Sequence, residues 1–284
     1  MLTEQYEVFM SFNDILVTLT SYPEPTPVPT VEDAVSVAAA LGAHIAALSC
    51  EINVELPGHF ISGSLVGLPG IIAGEAAKSR KNAQDLISTF ETAAAKAGVS
   101  RESIFQKCKS FEVPDLLVEY ARLHDLTIAP VPESYDQWYA EAVIFGSGKP
   151  TLILPQSPRS RRRFELGTVA VAWDSSRAAA RAISDALPLL EKAKKVCVVT
   201  VLNEKHLDTK HSAEELSKNL SRHGIEIVLD KVDAKDTLEA YVSSYAADIL
   251  VMGAYGHSRL REFVLGGATR SLLSKPPLPI LFSH

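Results

Sequence analysis

The chain has 284 residues, of which 46% are apolar and 22% charged. These are the proportions of a globular protein, and they exclude a disordered or collagen-like one. The net charge of −6 argues against non-specific nucleic-acid binding by the whole molecule, and no uninterrupted apolar window reaches the roughly 18 residues of a membrane span.

The N-terminus places Glu4 and Glu7 where a secretory leader would carry Lys or Arg, so a cytoplasmic protein is expected. Ile15 to Leu19 is a β-branched and apolar run that suits a buried strand, and Val31 to Leu41, closed by Gly42, has helical spacing. Ile45 to Cys50 is a second strand, Ala73 to Ala97 a long helix, and Ile104 to Cys108 a third strand. Leu116 to Leu123 leads into a fourth strand at Leu126 to Ala129, and Lys149 to Leu154 closes the half. Pro155 to Arg163 holds two prolines, two serines and four arginines with little to bury, and reads as a linker.

The same order then recurs. Thr168 to Trp173 is a strand ending at Asp174, Arg177 to Leu190 a helix, and Val196 to Val201 a strand apolar on both faces. A polar helix from about Ala213 to His223, closed by Gly224, precedes a strand at Ile225 to Leu229. A helix from about Leu238 to Ala246 leads to Ile249 to Met252, and Leu278 to Leu281 ends the chain as Leu152 to Leu154 ends the first half. Strands alternating with helices imply βαβ units, a parallel sheet and right-handed crossovers. The offset between copies falls from 154 residues at the first strand to 123 at the fourth. The first copy thus carries extra chain, assigned to the Gly-rich stretch Gly58 to Gly74 and a longer second helix. We expect two α/β domains, residues 1–157 and 158–284, written by duplication.

The halves differ in charge. Residues 1–157 hold 9 Lys/Arg and 19 Asp/Glu, and residues 158–284 hold 19 and 15, so an anionic ligand is favoured only by the second half. Cys50, Cys108 and Cys197 are odd in number and each lies in or beside an apolar run, which predicts buried thiols and neither a disulfide nor a metal site.

In the second half the fourth strand runs into Gly253-Ala254-Tyr255-Gly256, and nine residues later come Gly266-Gly267-Ala268-Thr269. Glycines at a strand end let a backbone turn tightly or approach a ligand. Gly266-Gly267 opens a segment, Ala268 to Leu273, expected to be helical until Pro276, and a helix N-terminus suits a phosphate. Both clusters fall at the carboxyl ends of strands or beyond, where open parallel sheets bind ligands. Turn glycines alone account for the spacing equally well.

Gly253-x-x-Gly256, nine residues, then Gly266 resembles the G-2x-G-9x-G-(S/T) loop of the universal stress protein family, and the Tyr-Gly-His-Ser-Arg run at 255–259 and the Ala-Trp-Asp at 172–174 agree with it. The resemblance spans both halves, strongly from 168 to 284 and weakly from 12 to 154. It implies a tandem protein of two flavodoxin-like (Rossmann-like, doubly wound, five-stranded) α/β domains whose last strands pair within the chain as a pseudo-dimer. It further implies an ATP site with Mg in the second half and a role in the stress response. By that resemblance Asp174 contacts the adenine or ribose region, Ala172 and Val201 line the adenine pocket, and Met252 and Gly253 lie beside the ribose. Gly256, Gly266, Gly267, Ala268 and Thr269 would cradle the phosphates. Gly267 departs from the family's Ser or Thr; a hydroxyl bond to a charged phosphate contributes about 1.5–3 kcal/mol, which Thr269 would replace in part.

Each residue also has a plainer explanation. Asp174 suits an N-cap for the helix beginning near Ser176, and His257 and Arg259 suit solvated loop positions. Neither has a nucleophile or carboxylate partner at catalytic spacing, so no catalytic residue is assigned, and slow ATP hydrolysis ranks behind a nucleotide-free interaction scaffold. The first copy has Thr20 where the second has Asp174, and Pro130-Val131-Pro132-Glu133 where the second has its glycines. Proline donates no N–H and Glu133 repels phosphate, so no ATP is expected there. The apolar segment from Phe60 to Ile72 is expected to pack as a lid or to face an apolar ligand. No metal-ligand spacing occurs. The partners expected are an adenine nucleotide, a regulatory protein and a second copy in a homodimer, but no nucleic acid and no membrane.

Overall fold

The computed structural model describes residues 11–53, 68–132, 138–156, 164, 166–202, 209–233, 238, 241, 247–254 and 272–284. Ten strands form one sheet in the order β3-β2-β1-β4-β5-β10-β9-β6-β7-β8. The first five are β1 (Asp14–Leu19), β2 (His44–Asn53), β3 (Arg101–Lys109), β4 (Leu126–Val131) and β5 (Thr151–Pro155). The other five are β6 (Thr168–Ala172), β7 (Lys195–Leu202), β8 (Ile227–Asp233), β9 (Ile249–Gly253) and β10 (Ile280–Ser283). Each half is parallel and has its strands in the order 3-2-1-4-5, with the winding reversed between the first and fourth strands. The halves meet where β5 and β10 pair antiparallel, Ile153 opposite Ile280 and Leu152 opposite Leu281. This is the doubly wound fold with an internal pseudo-dimer seam that the sequence predicts.

Alternation across the strands explains why both faces are covered. Ile15, Val17 and Leu19 of β1 join one core cluster and Leu16 the opposite one, while Val169 and Val171 of β6 are separated from Ala170 in the same way. On one face α1 (Val28–Leu41), α2 (Leu68–Ala97), α5 (Arg177–Leu190) and α6 (Thr209–Arg222) contribute to a single layer that spans both halves. On the other face of the first half lie α3 (Val113–Leu123) and α4 (Trp138–Gly146). Lys192 reaches across the halves to donate to the Leu41 carbonyl at 2.6 Å.

The two halves share one hydrogen-bonding device. The Asp125 carboxylate accepts the Asn13 and Asp14 N–H groups at 3.0 and 3.1 Å, and the Asp125 N–H returns to the Asp14 carbonyl. In the second half the Asp248 carboxylate accepts the Thr168 N–H at 2.7 Å, and the Asp248 N–H returns to the Thr168 carbonyl. Asp14 and Thr168 stand at the 154-residue offset, and Asp125 and Asp248 at the 123-residue offset.

Helix ends follow local chemistry. Gly42 closes α1 at φ 70°, a conformation that favours glycine, and its N–H caps the Ala38 and Ala39 carbonyls. Ser176 caps α5, accepting the Ala179 N–H at 3.0 Å. The extra chain of the first copy falls in part where expected, since α2 has 30 residues and α6 has 14.

Several boundaries differ from the sequence reading. β4 continues through Pro130 and Val131. The missing N–H of Pro130 is tolerated because the β1–β4 ladder reaches only Val17 opposite Ile128, while Pro130 stays beside Leu154 of β5. Helix α4 was not expected. Its sequence, WYAEAVIFG, is apolar nearly all round, so it carries no 3.6-residue contrast. α2 begins at Leu68 and not at Ala73, and β8 runs from Ile227 to Asp233, later than its apolar residues alone suggest. The stretches 58–67, 157–163 and 255–271 of the Gly-rich segment, linker and glycine loop lie outside the described residues, as does most of the 238–246 helix. All three cysteines are free and buried, as expected.

Candidate functional site

The sheet opens at one place in each half, where the first and fourth strands part. In the second half the ladder between β6 and β9 ends at Val171 opposite Val251. Beyond it the Trp173 N–H turns to the Val199 carbonyl of β7 at 2.8 Å, and the Ala254 N–H turns to the Ser283 carbonyl of β10 at 2.8 Å. Each strand end stays with its outer neighbour, which leaves a crevice between 172–174 and 252–254. This is the switch point at which doubly wound sheets bind ligands.

The described candidate residues gather there. Ala172 and Met252 belong to the same apolar cluster, with Met252 buried and Ala172 half-buried. Asp174 is half-buried at the rim, and its Oδ1 accepts the Ser176 N–H at 2.9 Å. That bond spans two residues and forms an Asx turn. It holds Ser175 at φ 61°, a left-handed value that is uncommon outside glycine. Asp174 therefore shapes the entry to α5, but the cap itself is Ser176, not Asp174. Val201 lies on β7, paired with Val232 of β8. Gly256, Gly266, Gly267, Ala268 and Thr269 lie outside the described residues, which resume at Leu272 with a helical stretch to Ser274.

Gly253 has a role that spacing does not reveal. A Cβ at this position would run into the Ala178 carbonyl carbon and lie 2.6 Å from the Ala179 nitrogen. The first turn of α5 therefore rests directly on the end of β9, and this glycine makes room for a helix.

The crevice of the first half is built differently. The β1–α1 connection takes eight residues, 20–27, against four, 173–176, in the second half. The loop is closed by Thr20 and Thr26, with the Thr26 N–H on the Thr20 carbonyl at 2.9 Å and the Thr20 N–H on Thr26 Oγ1 at 3.0 Å. Between this loop and the ends of β2 and β4 lies a cavity of about 230 Å³. Cys50 lines it. The hydrogen bond with Cys108, and then burial, hold the Cys50 thiol well above the ordinary thiol range, while the same bond lowers Cys108. In the second half the Tyr241 phenol donates to Asp230 at 2.9 Å and contacts Cys197 Sγ at 3.3 Å; burial and these two partners push it up. Among the described residues no group of three or more His, Cys, Asp or Glu could hold a metal ion. None of their helices is long and apolar enough to cross a membrane.

Comparison with known proteins gives the crevice a family context. Residues 165–284 match the model of the universal stress protein family. A universal stress protein of Synechocystis sp. is 39% identical over 57 residues, which is 20% of this chain, and the chain spans only 20% of that protein's length. A universal stress protein structure from Archaeoglobus fulgidus has a TM-score of 0.68 at 16% identity, covering 94% of this chain and 97% of its own. A structure described as a putative universal stress protein from Pseudomonas aeruginosa has a TM-score of 0.57 at 15% identity, covering 96% and 93%. These two likenesses concern the fold of both halves together. The match to the family model thus falls wholly within the second half of the chain.

Proposed function

We propose that the second half binds an adenine nucleotide, ATP with Mg, in the crevice between the ends of β6 and β9, and that the protein acts as a nucleotide-gated regulator in a stress response. The parting of β6 and β9 after Val171 and Val251 carries this reading. It places an apolar floor, Ala172 and Met252, beside a half-buried carboxylate, Asp174, an arrangement that suits a planar base and a ribose hydroxyl. The described residues fit the nucleoside end of the ligand. Gly256, Gly266, Gly267, Ala268 and Thr269 would hold the phosphates, which Mg would help to neutralise.

Binding, and not turnover, is the action proposed. ATP would order the 253–269 loop and alter a surface that a regulatory protein reads. The first half, within proposed bounds of 1–157, would serve as a scaffold joined to the 158–284 domain through β5 and β10. Titration of the chain with Mg-ATP, with Gly256→Val alongside, tests the site. Protease nicking in the 253–269 loop that is equally fast with and without ATP would remove the gating.

One observation favours a second reading. Gly253 is required by the contact with α5, so this motif glycine has a structural reason of its own. With Gly267 in place of a hydroxyl residue, that supports a scaffold that works without nucleotide.

A further inference from the structure

We propose that the cavity of the first half is a binding site for a small, uncharged, apolar molecule of roughly nine heavy atoms. It lies at the first half's own switch point, where β1 and β4 part after Val17 and Ile128. Its volume of about 230 Å³ exceeds the roughly 150 Å³ that admits benzene in an apolar protein cavity, which sets the ligand's size.

The walls set its chemistry. Leu48, Val113 and Leu117 form apolar sides, and none of the described lining residues carries a charge. Pro130 and Pro132 close the β4 side, where a proline can offer no N–H to an anion. Three polar groups at the β1 end are already engaged within the protein. Thr18 Oγ1 donates to the Ile128 carbonyl at 3.4 Å, the Thr20 N–H is taken by Thr26, and Ser21 Oγ contacts the Cys50 carbonyl and Ser79 Oγ. The remaining polar side chains of the wall, Thr20, Tyr22, Ser110 and Tyr139, carry only neutral hydroxyls, so a charged ligand would lose its hydration there without meeting a counter-charge. The longer β1–α1 loop creates the space. In the second half α5 follows β6 after four residues and its first turn rests on Gly253, whereas here α1 begins only at Val28. The site is independent of nucleotide binding in the second half.

The test is a methyl NMR titration of the full chain with indole, using benzoate, a carboxylate of the same heavy-atom count, as the charged control. Indole should give saturable shifts at the Leu48, Val113 and Leu117 methyls, and the carboxylate should bind about tenfold more weakly or worse. Ala140→Phe, which fills the cavity from α4, should abolish the indole shifts while the unfolding midpoint stays near that of the parent. If that variant does not fold, Leu117→Ala takes its place, and it should weaken indole and favour the larger 2-naphthol. No saturable shift with indole, equal saturation by the carboxylate, or a folded Ala140→Phe that binds like the parent would overturn the proposal.

Discussion

Gly253 at the end of β9 sits directly beneath Ala178 in the first turn of α5, so that a Cβ on the glycine would lie 2.7 Å from the alanine's own Cβ. This contact sets how close the helix N-terminus can come to the crevice. Gly253→Ala is therefore expected to destabilise the chain by about 1–3 kcal/mol through overpacking against backbone. Urea unfolding measures it, and a change within about 0.5 kcal/mol, the range of a neutral surface substitution, would contradict the contact.

Asp174 and Ser176 separate turn chemistry from ligand chemistry. Ser176→Ala removes the cap of α5 and should cost about 1 kcal/mol. Asp174→Asn keeps an acceptor for the Ser176 N–H, so its stability should lie near that of the parent, while nucleotide affinity falls with the lost charge. Equal loss of stability in the two variants would tie Asp174 to the fold alone.

Both strands at the seam between the halves are buried along their length. Leu281, fully buried on β10 opposite Leu152, should cost about 2–5 kcal/mol on replacement by Ala, seen in thermal or denaturant unfolding. Nearby, among the described residues, the buried Thr151 hydroxyl meets no hydrogen-bond partner. Thr151→Val removes that hydroxyl at similar volume and should raise stability by about 1 kcal/mol. A loss of stability would show that the hydroxyl is satisfied in solution.

The cysteines should be slow to react. Cys50 is buried and its thiol is pushed up by Cys108 and by burial, so at pH 8 it stays a neutral thiol and a poor nucleophile. Alkylation of the folded chain should modify Cys108, which is lowered, before Cys50. The reverse order by mass spectrometry would contradict this assignment.

Much of this architecture was legible in the sequence, because the period of apolar residues reports which faces are buried. The α5 span, Arg177 to Leu190, agrees with its helical spacing, and the strand order expected to recur does so in both halves of the sheet. Helix α4 was not legible, since a segment apolar on every side has no amphipathic signal. Pro130 was misplaced because a proline normally ends a strand, and only the end of the β1–β4 ladder shows why it does not here. Position and resemblance single out Asp174, Ala172 and Met252, and these lie at or just beyond the ends of β6 and β9. Two features depend on the packing of distant segments and left no local trace. One is the helix resting on Gly253, and the other is the cavity opened by the longer loop after β1.

The measurement that bears most directly on the nucleotide site is calorimetric titration of the whole chain with Mg-ATP, run beside Asp174→Asn and Gly256→Val. Saturable binding at one site per chain is expected, weakened by the first substitution and lost with the second. No heat, together with no competition by ADP or AMP, would contradict it and leave the crevice between β6 and β9 as part of a scaffold.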